Sequence, residues 1–339
     1  MIKNPTKGSE MMVLRPKVVS QFKLHPDAMK ILEEVAKVVV VPGFSHEDLM
    51  AEMSDADALI GAARVDEAFL NRTPRLKIVA SFGVGYQDRV DVEACTRRGI
   101  FVTYTPNVLS GTVAELTIGL IICLARAIPL ADAYVRRRWW RPRAKPLSLG
   151  VDIEGKTLGI LGLGRIGYEV AKRAKAFGMG ILYYDIVRNQ KAEEEGLASY
   201  VPFDELLRAS DFLTIHVPLI PETRKMIGER ELRLMKKTAY LINMARGGVI
   251  DEEALCKALA EGWIAGAGLD VFAKEPLPKD SPLIKMKNVV LTPHIGSATV
   301  EARRRMALMN ATDVVRVLRG EEPINIVPEQ RGRLPLKAS

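Results

Sequence analysis

The 339-residue sequence is poor in the residues that build metal centres and disulfide scaffolds. It has only four histidines and three cysteines, Cys95, Cys123 and Cys256, which lie far apart. This usage excludes a disulfide framework and shows no zinc-ligand spacing, so we expect no metal site. Unpaired cysteines fit a reducing compartment, and the N-terminus has no apolar core of a signal peptide. We therefore expect a cytoplasmic protein.

The sequence also lacks an apolar run long enough to span a bilayer. The longest such run, residues 113–127, is interrupted by Glu115 and Arg126. It predicts a buried helix, capped by Ser110 and ending near Ile128, and we expect no membrane partner. Patterned sequence begins only near Lys17, so residues 1–12 are predicted to be a disordered leader.

Acidic residues are absent between Asp132 and Asp152, where much of the net charge of +8 is concentrated. This stretch contains six cations, Arg136, Arg137, Arg138, Arg141, Arg143 and Lys145. The simplest interpretation is a solvated, exposed loop over 136–146, and a second is attraction of an anionic substrate or cofactor. Trp139 and Trp140 interleave with the arginines, but no nucleic-acid-binding motif accompanies them, so we expect no nucleic-acid partner.

Short β-branched runs alternate with helical patterns along most of the chain. Such alternation predicts parallel sheets with helices on both faces, and the length suits two domains. We predict an α/β protein with two doubly wound parallel-sheet domains. The amphipathic helix over 298–318 can return to the first domain, which the C-terminus would then complete.

A glycine-rich turn stands at the start of the second half. The apolar run 157–161 is followed by Gly162, Gly164 and Gly167, a helical stretch, a second apolar run and then Asp185. This order is typical of a dinucleotide site, in which the glycines admit the pyrophosphate to a helix N-terminus. A carboxylate about 20 residues on binds the ribose hydroxyls and favours NAD over NADP.

Polar residues that suit hydride transfer follow other predicted strands of the same half. A histidine exchanges protons near neutral pH, and His294 follows a strand, with Glu275 as the candidate carboxylate that orients it. Arg246, before two glycines, can grip a substrate carboxylate at two points. Ligands bind beyond the carboxyl ends of such strands, so these residues are expected to meet at one edge.

Four motifs in this order resemble the D-isomer-specific 2-hydroxyacid dehydrogenases, and most closely the glyoxylate/hydroxypyruvate reductases. They are Gly162–Gly167, Asn243–Asp251, Gly268–Leu277 and Leu291–Ser297. The resemblance implies reduction of a small anionic 2-keto acid by NAD(H), with NADP(H) possible, in a homodimer. It implies a Rossmann cofactor domain over 110–298, and a flavodoxin-like substrate domain made of 1–109 and 299–339.

The resemblance also assigns individual residues. Arg246, Glu275 and His294 would be catalytic, and Val84, Gly85, Arg246 and His294 would bind substrate. Besides the three glycines, the cofactor would be lined by Arg165, Ile166, Asp185, His216, Pro218, Thr223, Asp270 and Gly296, to which we add Val217, Asn243 and Ala245 from the same strand ends. An aromatic near Trp139–Trp140 would reach the partner's active site.

Two departures leave alternatives open. After Val84–Gly85 the family usually has Asp-Asn or Asp-His, and this chain has Tyr86–Gln87, so a related dehydrogenase acting on another small anion remains an alternative. Arg188, three residues after Asp185, could soften the preference for NAD. Some relatives are NAD-sensing co-repressors that act by protein contact. That reading would require added interaction segments, which the sequence does not show.

Overall fold

The computed structural model describes residues 15–41, 46–141 and 147–334. They form two compact units, one built from the residues up to 106 together with those from 303 onward, and the other from residues 107–302. Each is a layered α/β unit on an all-parallel sheet, and the predicted fold class is confirmed. The predicted leader 1–12 and the cations Arg143 and Lys145 lie outside the described residues.

The first unit has a five-stranded sheet in the order β2-β1-β3-β4-β5, which is the flavodoxin-like order. Its strands are β1 (Lys17–Ser20), β2 (Lys37–Val40), β3 (Ala58–Gly61), β4 (Ile78–Ser81) and β5 (Phe101–Thr103). Its helices are α1 (Pro26–Glu33), α2 (His46–Met53), α3 (Glu67–Asn71), α4 (Val92–Arg97) and most of α12 (Val300–Leu318). Val18 and Ile60 enter the core on one face and Val19 and Leu59 the other, because strand side chains alternate.

The second unit has a seven-stranded sheet in the order β12-β11-β10-β9-β6-β7-β8. Its strands are β6 (Thr157–Leu161), β7 (Gly180–Tyr184), β8 (Ser199–Tyr200), β9 (Phe212–Ile215), β10 (Tyr240–Asn243), β11 (Gly266–Leu269) and β12 (Val289–Leu291). All strands are parallel, but the order in which successive strands are added to the sheet reverses between β6 and β9. The carboxyl ends of these two strands therefore flank the switch point at which ligands bind in such folds.

Seven helices flank this sheet in the described part of the second unit. They are α5 (Ser110–Ala125), α6 (Ile128–Arg136), α7 (Arg165–Ala176), α8 (Gln190–Glu194), α9 (Phe203–Ala209), α10 (Glu229–Leu234) and α11 (Glu252–Glu261). Asp251 caps α11 through its carboxylate, as predicted.

The prediction of a single helix from Ser110 to Ile128 was wrong. The chain breaks after Ala125, where Ala127 adopts a left-handed φ of 49°, and α6 continues at 63° to α5. Ser110 is the first helical residue and not the cap, a position held by Leu109. Arg136 ends α6, so the exposed basic segment begins inside a helix.

In the described ranges, no single helix is long and apolar enough to cross a membrane. The bent pair α5 and α6 passes such a test only when the two are taken together, and more than half of the residues of α5 are buried in the second unit.

Candidate active site

The three glycines of the turn after β6 have different neighbours. Gly162 has a φ of +94°, and a Cβ there would lie 2.9 Å from Cγ1 of Val217. A Cβ on Gly167 would lie 2.3 Å from the carbonyl oxygen of Gly162, so only glycine lets α7 pack this closely on the strand. A Cβ on Gly164 would meet no atom within 4 Å. Gly164 therefore faces open space that a ligand can occupy.

A cavity of about 490 Å³ lies beside Gly164, entirely within the second unit. The first residues of α5 and of α7 both line it, and in the described chain neither helix has a side-chain cap. The unpaired N–H groups and positive dipole end of a helix attract anions such as phosphates. Asn107, Ser110 and Gly111 also line the cavity, although the sequence pattern predicts Ser110 only as a helix cap.

Asp185 follows β7 and lies against the glycine turn. Its Oδ2 accepts a hydrogen bond of 2.8 Å from the backbone N–H of Leu163, and Oδ1 accepts one of 3.4 Å from Val187. A carboxylate has about four acceptor positions, so Asp185 keeps capacity for ribose hydroxyls. Arg165 and Ile166 begin α7 at the same turn, and Arg165 is exposed and lines the cavity.

The loop after β9 lies on the other side of the glycine turn. Cγ1 of Val217 lies where it would contact a Cβ on Gly162. Oγ1 of Thr223 donates a hydrogen bond of 2.6 Å to the carbonyl oxygen of Pro218. Thr223 therefore closes the loop 218–223. Nε2 of His216 lies 2.9 Å from Oγ1 of Thr214, and Nδ1 is buried with no hydrogen-bond partner among the described residues. Burial lowers the pKa of His216 to about 3.

This buried histidine predicts a pH-dependent stability. The unfolded chain protonates the imidazole below its ordinary pKa of 6.5, whereas the folded protein stays neutral there down to about 3. Stability is therefore lost as the pH falls through that window, by up to about 1.4 kcal/mol per pH unit. We expect the urea-unfolding free energy of His216→Gln to depend less steeply on pH between 6.5 and 4.5. Exposed His46→Gln should keep the wild-type slope, and equal slopes in all three proteins would refute the assignment.

Asp270 organises the loop that carries His294. Its side chain is buried and accepts from Oγ1 of Thr292 at 2.6 Å and from the backbone N–H groups of Ile295 and Gly296, both at 2.8 Å. Its carbonyl accepts from the N–H of His294 at 2.9 Å. His294 has a φ of 54°, a conformation uncommon for a non-glycine residue. The four hydrogen bonds from the loop to Asp270 hold it in that conformation.

His294 and Glu275, which the sequence pattern predicts to be an acid–base pair, are in contact. Nδ1 of His294 lies 2.8 Å from Oε2 of Glu275, and Oε1 of Glu275 accepts from the N–H of Phe272 at 3.2 Å. With Nδ1 engaged, Nε2 is the ring nitrogen left to face a substrate. Both side chains are about one-third exposed, at 39% and 31%, so a small molecule can reach them.

The loop after β10 carries Arg246 and touches the segment that leads to Glu275. Asn243 closes the loop by donating from Nδ2 to the carbonyl of Arg246 at 3.0 Å and accepting from the N–H of Ala245 at 3.0 Å. A Cβ on Gly247 would lie 1.8 Å from the carbonyl carbon of Phe272. The two loops therefore touch backbone to backbone, and this contact brings Arg246 to the segment that carries Glu275.

In the first unit, the loop 81–86 follows β4 and contains Val84 and Gly85. Phe82 donates from its N–H to the carbonyl of Gly61 at 2.8 Å. Tyr86 is buried, lies 5.5 Å from Tyr104 in an edge-on contact, and donates through its hydroxyl to Oε2 of Glu329 at 2.8 Å. The unusual Tyr86 is thus an anchor that points into the core of this unit.

Comparisons with known proteins bear on this arrangement. Residues 118–296 match the family described as D-isomer specific 2-hydroxyacid dehydrogenase, NAD binding domain. A glyoxylate reductase of Korarchaeum cryptofilum is 50% identical over 84% of this chain and 87% of its own length. One of Thermococcus litoralis is 47% identical over 93% and 97%.

The chain belongs to the D-isomer-specific 2-hydroxyacid dehydrogenases. Among solved structures of this family, an NADPH-dependent glyoxylate/hydroxypyruvate reductase from Sinorhizobium meliloti, in complex with NADP and malonate, superimposes with a TM-score of 0.84. It is 34% identical, and the alignment covers 96% of this chain and 99% of that one. The predicted family is confirmed.

As a member of this dehydrogenase family, the protein is an oxidoreductase with a nicotinamide-cofactor domain. The glycine turn, Asp185, Arg246, Glu275 and His294 all lie inside the matched residues 118–296. No group of three or more metal-ligating side chains occurs in the portion of the chain that the structure describes. The assignment of each site residue to substrate or cofactor remains a prediction.

Proposed function

We propose that the protein reduces glyoxylate or hydroxypyruvate to the 2-hydroxy acid with NADH. The observation that carries this proposal is the contact of His294 with Glu275, whose Nδ1 and Oε2 lie 2.8 Å apart, with Arg246 on the loop after β10. Relatives at 47–50% identity are named glyoxylate reductases, which supports the choice of a small 2-keto acid.

The proposed chemistry assigns one task to each side chain. When bound, the nicotinamide supplies the hydride that reaches the keto carbon. His294 gives the proton from Nε2 to the carbonyl oxygen, and Glu275 holds the ring at Nδ1 and stabilises its charged form. Arg246 binds the substrate carboxylate and polarises the carbonyl. Val84 and Gly85 are assigned to the substrate carboxylate as well.

The residues at the glycine turn fit a dinucleotide. Gly164 leaves open the space that a Cβ would fill, and the N-terminal residues of α5 and α7 line the same cavity. We assign the cofactor to the residues of the glycine turn that line this cavity. The other residues assigned to it are Asp185, His216, Val217, Pro218, Thr223, Asn243, Ala245, Asp270 and Gly296. Asp185 favours NAD(H), because its charge repels a 2′-phosphate.

A single kinetic panel tests the proposal. Purified protein is mixed with NADH or NADPH and with glyoxylate, hydroxypyruvate or pyruvate, and the absorbance of the reduced cofactor is followed. We expect turnover with glyoxylate or hydroxypyruvate and a higher kcat/KM with NADH. Absence of turnover with every 2-keto acid would refute the proposed reaction.

Asp185 gives a prediction about the cofactor. Replacing it by serine removes the charge that repels a 2′-phosphate and keeps a small acceptor. We expect Asp185→Ser to lower the NADH-to-NADPH ratio of kcat/KM about 100-fold. Loss of a ribose hydrogen bond with NADH and loss of the repulsion of the 2′-phosphate of NADPH each change the ratio by about 1.4 kcal/mol, or tenfold. The variant Asp152→Ser, at an exposed position before β6 and outside the lining of the cavity beside Gly164, is the charge-matched control. A ratio that stays within threefold of the wild type would contradict the role of Asp185.

We further propose that the protein is a cytoplasmic homodimer. The second unit exposes large apolar side chains, among them Leu149 at 98%, Val135 at 54% and Phe177 at 45%. Exposed apolar side chains can form a protein contact where they lie together in one patch. Sedimentation equilibrium of the purified protein should give twice the chain mass of 37.5 kDa, and a monomer at micromolar concentration would contradict the proposal.

A further inference from the structure

Arg188 stands where a 2′-phosphate would be recognised, three residues after Asp185 and next to Asn189, which lines the cavity. An arginine near the end of the second strand of a dinucleotide fold can accommodate the phosphate of NADP. Lys191 also lines the cavity, so a second cation is close by. On composition alone, this loop could therefore hold NADP(H) in spite of Asp185.

The structure shows that the guanidinium of Arg188 is already engaged. Its Nε donates to Oε1 of Glu193 at 3.1 Å, and its Nη2 donates to Oε2 of the same carboxylate. Its Cζ lies 5.0 Å from the ring centroid of Tyr200. The two-point edge that arginine would present to a phosphate is occupied by Glu193, and one face is covered by Tyr200.

Glu193 is itself fixed by the loop. It accepts a hydrogen bond from the hydroxyl of Tyr183, and that hydroxyl accepts from the N–H of Asn189 at 2.8 Å. Asn189 caps α8 and donates from Nδ2 to the carbonyl of Leu163 at 3.0 Å, next to the glycine turn. The side chain of Glu193 is 25% exposed and that of Arg188 is 61% exposed. The acid is the anchored partner, and the arginine is the partner that can be released.

We infer that Glu193 is a specificity-determining residue that withholds Arg188 from the 2′-phosphate of NADP(H). Asp185 excludes the phosphate by repulsion, and Glu193 excludes it by occupying the cation that would otherwise bind it. The inference rests on the proposed cofactor site and adds a residue outside the glycine motif. It also predicts a latent 2′-phosphate site made of Arg188 and Lys191.

The test is a binding titration that needs no substrate. NADH and NADPH are titrated into the protein and into Glu193→Gln, and the dissociation constants are read from the nicotinamide fluorescence. We expect Glu193→Gln to bind NADPH about tenfold more tightly and NADH within twofold of the wild type, because one released charge-assisted contact is worth about 1.5 kcal/mol. The amide keeps an acceptor for Tyr183, so the loop should be preserved.

Two further variants distinguish the pairing of Glu193 with Arg188 from a simple change of net charge. Glu194→Gln removes the same charge from the exposed neighbour on α8 and should leave the NADPH constant within twofold. The double variant Arg188→Gln with Glu193→Gln should lose the gain in NADPH affinity. A gain equal to that of Glu194→Gln, or one that survives without Arg188, would overturn the inference. Failure of the wild type to bind NADH would instead refute the proposed cofactor site.

Discussion

Replacing His294 by glutamine is expected to lower kcat for glyoxylate by about 1,000-fold, since general acid catalysis contributes about 10²–10⁴-fold. The proposed proton comes from Nε2, because Nδ1 contacts Oε2 of Glu275. Glutamine retains a polar group near Glu275 but cannot exchange a proton at neutral pH. The measurement is steady-state kinetics with NADH held at saturation.

Two measurements show whether the loss belongs to the chemical step. The dissociation constant of NADH should stay within about twofold in His294→Gln, because the ring is assigned to the proton and not to the cofactor. His46→Gln, an exposed histidine of the first unit, should keep wild-type kcat. If His294→Gln retained more than a tenth of wild-type kcat, His294 would not be the acid.

Glu275 should behave differently from its partner. Glu275→Gln leaves the imidazole in place but removes the carboxylate that holds Nδ1. We therefore expect a loss of kcat, because the acid is held less firmly, but a smaller loss than in His294→Gln. The double variant should be no worse than His294→Gln alone, because the two residues act as one unit.

The glycine turn and the pair of His294 and Glu275 were predictable because their signals are local in the sequence. Gly162 is required by its φ of +94° and Gly167 by its close approach to the carbonyl oxygen of Gly162, and Asp185 follows the next strand in chain order. His294, Glu275 and Arg246 follow strands, and the carboxyl ends of parallel strands share one edge. The alternation of strands and helices along the chain likewise predicts the layered α/β architecture.

The break at Ala127 does carry a sequence signal, because Pro129 stands in the first turn of α6 and proline disfavours a continuous helix. The other features that escaped prediction depend on side-chain contacts that form only in the folded chain. Asp270 was predicted only as a cofactor residue, whereas its carboxylate holds the loop of His294 through Thr292, Ile295 and Gly296. The pairing of Arg188 with Glu193 depends on the short helix α8 turning back toward β7.

The three glycines of the turn allow stability and cofactor binding to be separated. A Cβ on Gly164 meets open space and its φ is −76°, so Gly164→Val should fold, at a cost of about 1 kcal/mol for a poorer helix N-cap. Its side chain would fill the space assigned to the pyrophosphate, and we expect NADH binding to weaken at least 100-fold. Isothermal titration with NADH and urea unfolding measure the two effects.

Gly167→Val should show the reverse order of effects. Its Cβ would lie 2.3 Å from the carbonyl oxygen of Gly162, so α7 must move from the strand, and overpacking of this kind costs about 3 kcal/mol or more. Gly180→Val is the matched control, because a Cβ there also meets no atom within 4 Å and Gly180 begins β7, at the strand end away from the ligand edge. It should change neither the NADH affinity nor the free energy of unfolding appreciably.

Two outcomes would contradict this assignment. Normal NADH affinity in Gly164→Val would place the dinucleotide elsewhere. A loss of stability in Gly164→Val equal to that in Gly167→Val would show that the fold itself needs the open space beside Gly164.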